Sequence, residues 1–359
     1  MCLRKRVGSA VLVASAACLI GCASGQTTGP GAAEATSTTQ AAVTSTTKVA
    51  ATTCTRRCAS SRWPTQVALD VCEVAPTPGL TAVAVEVDGR AYPTEIYQPD
   101  GRDAAPVAAV IDLHGLDSTG PSQAALTRFR QLADSEEFVV AEPSGPVGPL
   151  CVTGWEIAAV DEPGRDDVGA IDQLIDVLLD DHCVDPELIF VAGYSNGGFL
   201  AAELACRPGS RVAAIVAVAG FHAPEPCERP VPTLVVHGTA DPIVPLGPNG
   251  VSLIVDDTTP PSLAALLASS IEEEVAMSAS SAGCEDLPTS TDIADDIIEL
   301  RYDGCVGGAN HKLVLVEGGG HTWPGAAPTA DEGFLGPTTA NFDATEAGWA
   351  FFAASSKPG

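Results

Sequence analysis

Basic residues are scarce in this chain. Of its 359 residues, 18 are Lys or Arg against 46 Asp or Glu, a formal net charge of −28. A nucleic-acid backbone or an anionic membrane surface needs clustered positive charge on its partner, which argues against both. The acidity reads as a solvated, salt-tolerant surface and carries no specificity by itself. There is no HExxH motif and no CxxC pair, so a zinc hydrolase would lack its ligands, and no other cofactor is implied. No internal repeat is present. Long apolar runs are missing near the start too: the stretch from Ala10 to Ile20 is too short to span a bilayer.

That short run is informative for what surrounds it. Arg4, Lys5 and Arg6 precede it and Leu19-Ile20-Gly21-Cys22 closes it, the pattern of a bacterial lipoprotein signal. Residues 1–21 are therefore expected to be a cleaved signal peptide, with Cys22 acylated as the one membrane contact of an exported, envelope-bound or secreted protein. Residues 22–61 are Ala, Thr, Ser and Gly with almost no large apolar side chains, too little to bury a core. They read as a tether with a reach on the order of 35 Å. The catalytic domain is expected over 62–359. Twelve cysteines fit an oxidising compartment. Loss of Cys2 and Cys18 with the signal and of Cys22 to lipid leaves an odd number, so at least one thiol stays free or pairs between molecules.

Beyond the tether, short apolar runs alternate with helical ones. Strands are predicted at Ala109–Leu113, Phe138–Ala141, Leu188–Ala192, Ala213–Val218, Thr233–Val236 and Leu313–Val316, with helices over Ile171–Leu179 and Gly198–Ala205. This is an α/β architecture with a buried, mostly parallel sheet. The acidic, Ser- and Pro-rich stretch near 247–303 breaks the rhythm and reads as an insertion over one face.

Gly193-Tyr194-Ser195-Asn196-Gly197 follows a predicted strand and opens a predicted helix, the context of a nucleophile elbow, where glycines two residues either side of the serine permit a sharp turn. A serine hydroxyl needs a base, and histidine is matched to neutral pH. Of six histidines, His321 lies in a Gly-rich loop just after the last strand run, whereas His182, His222 and His311 read as surface or core residues and His237 as structural. Asp241 follows the strand ending at His237 and lies between Ser195 and His321 in chain order, as the third member should. Asp256, Asp257 and Glu272 to Glu274 are its rivals. Oxyanion donors are expected from the backbone N–H groups of Asn196 and of Leu116 in Leu113-His114-Gly115-Leu116; a plain strand-end turn explains the latter segment equally well.

These four segments, with Gly319-Gly320-His321-Thr322-Trp323-Pro324-Gly325 the most specific, resemble the secreted polyhydroxybutyrate depolymerase and feruloyl esterase group, close to carbohydrate esterase family 1. The likeness covers roughly Val83 to Phe352. It implies the α/β-hydrolase fold and an acyl-enzyme mechanism, acting first on feruloyl or acetyl esters of plant polysaccharide and alternatively on poly(3-hydroxybutyrate) or oligoesters. It also implies the pairs Cys151–Cys183, Cys206–Cys227 and Cys284–Cys305, leaving Cys54, Cys58 and Cys72. Relatives usually carry a tryptophan several residues before the cysteine matching Cys284; Val275-Ala276-Met277-Ser278 stands there instead, which would alter the pocket wall. Trp155 and Trp323 are candidates to line an aromatic acyl site, with packing as the competing role. A peptidase of the same fold and a non-catalytic envelope-binding protein are the other readings.

Overall fold

The computed structural model describes residues 77–101, 105–148, 151–157, 165–248, 251–257, 259–328 and 332–355. All of them fall in one compact unit, Val67–Gly359. The signal peptide, Cys22, the tether, and Cys54, Cys58 and Cys72 lie outside the described residues.

Strands β1 (Gly79–Val87) and β2 (Arg90–Gln98) form an antiparallel hairpin. Asp88 and Gly89 connect them, both at positive φ, because such a two-residue turn matches the twist of the strands it joins. The remaining strands are β3 (Val107–Leu113), β4 (Val139–Pro143), β5 (Val184–Tyr194), β6 (Ala214–Val218), β7 (Thr233–Gly238), β8 (Thr289–Ala294), β9 (Ile297–Tyr302) and β10 (His311–Val316). They make one sheet in the order β1-β2-β4-β3-β5-β6-β7-β10-β9-β8. β4, β3, β5, β6, β7 and β10 run parallel and correspond to the six predicted runs. Antiparallel pairs flank them at both edges.

Each face of this sheet carries its own apolar layer. Helices α1 (Gly120–Thr127), α2 (Phe129–Glu136) and the C-terminal α7 (Ala344–Ser355) lie by one face, where Phe129, Phe138 and Phe352 are wholly buried. Phe352 stacks on Phe190 with ring centroids 4.6 Å apart. On the other face α3 (Asp167–Asp181) and α4 (Asn196–Cys206) bury Ile171, Leu174, Leu178 and Leu200. Full burial of each such side chain stabilises by about 1.5–3 kcal/mol. Asp166 caps α3 by accepting from Gly169 N–H at 2.7 Å.

The predicted insertion resolves into two unlike parts. Residues 261–281 hold α5 (Pro261–Leu267) and α6 (Ile271–Ser281), which cover the α3/α4 face. The following β8 and β9 extend the sheet, so this half of the segment does not lie over a face. Glu272, Glu273 and Glu274 occupy the first turn of α6, behind the N-cap Ser270, where carboxylates complement the helix dipole. That role removes them as rivals to Asp241.

Cys206–Cys227 and Cys284–Cys305 are bonded as the resemblance implied. Cys151 and Cys183 are each disulfide-bonded as well. Cys183 immediately precedes β5, its sulfur 3.4 Å from Ala105 O, while Cys151 lies between Gly148 and Val152, which line the pocket at the far end of that strand. A bond spans only about 4–7 Å between Cα atoms, so this arrangement does not support the expected Cys151–Cys183 pairing.

Candidate active site

Ser195 stands between β5 and α4 with φ 53° and ψ −115°, a region that costs a non-glycine residue of order 1–3 kcal/mol. The turn is tight enough that a Cβ on Gly193 would strike the Gly197 carbonyl, and one on Gly197 would strike Leu113 O. Ser195 N–H donates to Val218 O at 2.8 Å, tying the elbow to β6.

Two loops at the same end of the sheet bring up the partners. His321 Nε2 lies 2.8 Å from Ser195 Oγ, and His321 Nδ1 lies 2.8 Å from Asp241 Oδ2. The other carboxylate oxygen accepts from the N–H groups of Ile243 and Val244, both at 2.8 Å, so both oxygens of the buried Asp241 are engaged and its orientation toward His321 is fixed. His321 is also fixed through its backbone: its N–H donates to Leu335 O at 2.6 Å, and Tyr194 Oη–H donates to its carbonyl at 2.7 Å. His237, wholly buried beside Asp241, donates Nε2–H to Val244 O at 2.8 Å, and burial pushes its pKa down. It supports the loop as a neutral ring.

A pocket of about 340 Å³ opens in front of Ser195 and His321. Its walls are mainly apolar: Leu116, Trp155, Ile157, Phe199, Ile243, Val244, Leu263, Leu267 and Phe334. Arg165 reaches it too, but its guanidinium is buried against the Asp167 carboxylate at 2.6 Å, leaving the charge compensated.

Residues 95–250 match the phospholipase/carboxylesterase family. The domain has the α/β-hydrolase fold. The chain is similar to the bifunctional acetylxylan esterase/xylanase of Neocallimastix patriciarum, at 31% identity over 38% of this chain and 19% of that protein. It resembles a Nocardia uniformis subsp. tsuyamanensis protein named as an esterase, at 26% identity over 68% of this chain and 74% of that one. Feruloyl esterase C of Emericella nidulans is 29% identical over 49% and 63%, respectively. The chain thus spans about a fifth of the first of these relatives and under two thirds of the third.

Within the α/β-hydrolase domain the structure brings Ser195, His321, Asp241, Leu116, Asn196 and Trp155 together around one pocket. Trp323 is elsewhere: it is buried against Phe129 at 6.2 Å, donates Nε1–H to Thr345 Oγ1 at 3.0 Å, and does not line the pocket. Of the two roles expected for it, this geometry favours packing, and the smaller cavity it borders with Tyr194 and His321 is separate from the pocket in front of Ser195. Val275 to Ser278 lie in α6 and do not line the pocket either, so the missing tryptophan does not reshape that wall. The remaining histidines are engaged outside the site. Gln98 Nε2 donates to His182, His222 lies 3.1 Å from the Glu203 carboxylate, and His311 meets Ser278 Oγ at 2.8 Å. Ligand atoms of Cys284, Cys305 and His311 gather within 4.8 Å, but the disulfide consumes both sulfurs, so no thiolate remains for a metal.

Sequence reasoning missed Phe199, Ile243, Leu263 and Phe334 as pocket walls. Apolar side chains in helices and loops carry no signal that separates a pocket wall from a core contact.

Proposed function

We propose that this chain is an exported serine esterase that cleaves hydroxycinnamoyl or acetyl esters of plant polysaccharide through an acyl-enzyme. The observation that carries the reading is the unbroken relay Ser195–His321–Asp241, with both links at 2.8 Å, opening onto an apolar pocket. Ser195 Oγ attacks the ester carbonyl carbon while its proton passes to His321 Nε2, and Asp241 offsets the imidazolium charge. Backbone N–H groups of Leu116 and Asn196 receive the oxyanion, a donor of this kind being worth on the order of 100-fold in kcat. The tetrahedral species collapses, the ester C–O bond breaks, and His321 returns the proton to the departing alkoxide. Water then attacks the acyl-enzyme by the same route and releases the acid.

The pocket favours a hydroxycinnamoyl over an acetyl group: its apolar walls have room for an aromatic ring, which an acetyl group would leave unfilled. Similarity to proteins named feruloyl esterases points the same way. Comparison of p-nitrophenyl acetate, methyl ferulate and a hydroxybutyrate oligomer, with the wild-type chain and Ser195→Ala, tests the reading. Serine-dependent turnover led by methyl ferulate is the expected result. Preference for the oligomer would make the enzyme a polyester hydrolase, and identical behaviour of both proteins would make it a non-catalytic binding protein.

Export rests on the signal-like residues 1–21 and on the disulfides, which favour an oxidising compartment. The lipid anchor at Cys22, the 22–61 tether and a catalytic domain over 62–359 complete the proposal. Metabolic labelling with a fatty acid should mark the wild-type protein and spare Cys22→Ala; equal labelling would remove the anchor.

A further inference from the structure

Three pieces of chain remote in sequence meet at one indole. Trp155 N–H donates to Asn196 Oδ1 at 2.6 Å, and Asn196 Nδ2 donates back to Trp155 O at 3.1 Å, a two-point clamp between the first residue of α4 and this backbone. The Trp155 indole N–H in turn donates to His114 O at 2.8 Å, at the end of β3. His114 is wholly buried and lies 4.8 Å, centroid to centroid, from that indole. Gly145 N–H donates to its Nε2 at 2.9 Å, so the ring proton is on Nδ1, which donates to Gly115 O at 2.7 Å.

This chain of contacts ends at the oxyanion side of the nucleophile. A trans peptide points its C=O and N–H in opposite directions, so fixing Gly115 O on the imidazole fixes the direction of Leu116 N–H. The loop crosses the nucleophile closely: a Cβ on Gly115 would lie 3.4 Å from Ser195 Cβ. Residues either side of Trp155 are tied as well, Gly154 O to the Arg165 guanidinium and Glu156 N–H to Asp167 Oδ2 at 2.6 Å. Trp155 is only 3% exposed, which leaves little ring surface for a substrate to stack on.

We infer that Trp155 is a positioning residue that locks the two oxyanion donors, Leu116 N–H and Asn196 N–H, in register, instead of serving as the platform for the acyl group. The inference rests on the esterase reading. Asn196 acts twice in it, through its backbone at the oxyanion and through its side chain on Trp155.

The test measures kcat and KM of the full chain, Trp155→Phe and Asn196→Ala on p-nitrophenyl acetate and on a hydroxycinnamoyl p-nitrophenyl ester, with thermal unfolding of each protein. Phenylalanine keeps an apolar ring and loses the indole N–H. Both substitutions are expected to lower kcat about ten- to hundredfold on both esters with KM within about threefold, since small misplacement of donors costs rate more than binding. The double variant should be no slower than the slower single one, as members of one unit are non-additive. A rise in KM confined to the hydroxycinnamoyl ester, or near wild-type kcat, would overturn the inference in favour of a simple wall. If Trp155→Phe fails to fold, Asn196→Ala decides by the same split. Wild-type chain without Ser195-dependent turnover would sink the esterase reading itself, a result visible before any variant is compared.

Discussion

Ser195 carries both the proposed chemistry and a backbone penalty, at φ 53° and ψ −115°. Ser195→Ala and Ser195→Gly should each lower kcat by about 10,000-fold or more, but glycine tolerates that conformation. Chemical denaturation is expected to show the glycine variant more stable than the alanine variant by about 1 kcal/mol; equal stability would mean the turn holds no strain. Two buried carboxylates on the strands leading to the site set a pH dependence of stability. Burial raises the pKa of Asp112 to about 7, against stabilising bonds from Thr127 and Gln123, and that of Glu142 to about 7 despite Arg130. From about pH 4 upward the unfolded chain has released protons that the folded chain keeps, so this contribution declines as pH rises to 7 and stays low above it. Asp112→Asn retains acceptors and donors for Gln123 and Thr127. Its Tm relative to wild type should therefore rise between pH 5 and pH 8, and a constant difference would contradict the shift. His311, depressed by burial to about 4 from 6.5, acts in the opposite sense, and stability is lost as pH falls through that interval.

At the scale of elements, legibility followed burial. The six parallel strands are packed on both faces and read as continuous apolar runs, as in β6, where every residue is buried. The four antiparallel edge strands were not predicted. β8, Thr-Ser-Thr-Asp-Ile-Ala, is almost wholly exposed, and the β1–β2 hairpin alternates buried and exposed residues. Asp88-Gly89 between alternating runs was the one local signal that pointed to that hairpin. The Cys284–Cys305 bond, closing a 21-residue separation, staples the end of α6 beyond β9, away from Ser195. Replacing both cysteines by serine should cost about 3 kcal/mol in unfolding while leaving kcat within about twofold. A fall in kcat comparable to that of a site variant would place this edge of the sheet in the mechanism.

For the whole molecule, a net charge of −28 on 359 residues implies self-repulsion in the compact state. Salt screens such repulsion, so Tm should rise between about 0.01 and 0.5 M NaCl; a fall would mean that ion pairs such as Arg130–Glu142 dominate instead. The alternation of strand and helix, the elbow at Ser195, and the chain order of Ser195, Asp241 and His321 were legible in the amino-acid order, because each depends on local spacing or on burial that leaves a compositional trace. Tertiary structure alone decided that Trp155 meets Asn196 and His114 while Trp323 packs against Phe129, and that Ile243, Leu263 and Phe334 share one pocket. Two tryptophans are identical as letters, and only the folded path of the chain gives them different neighbours.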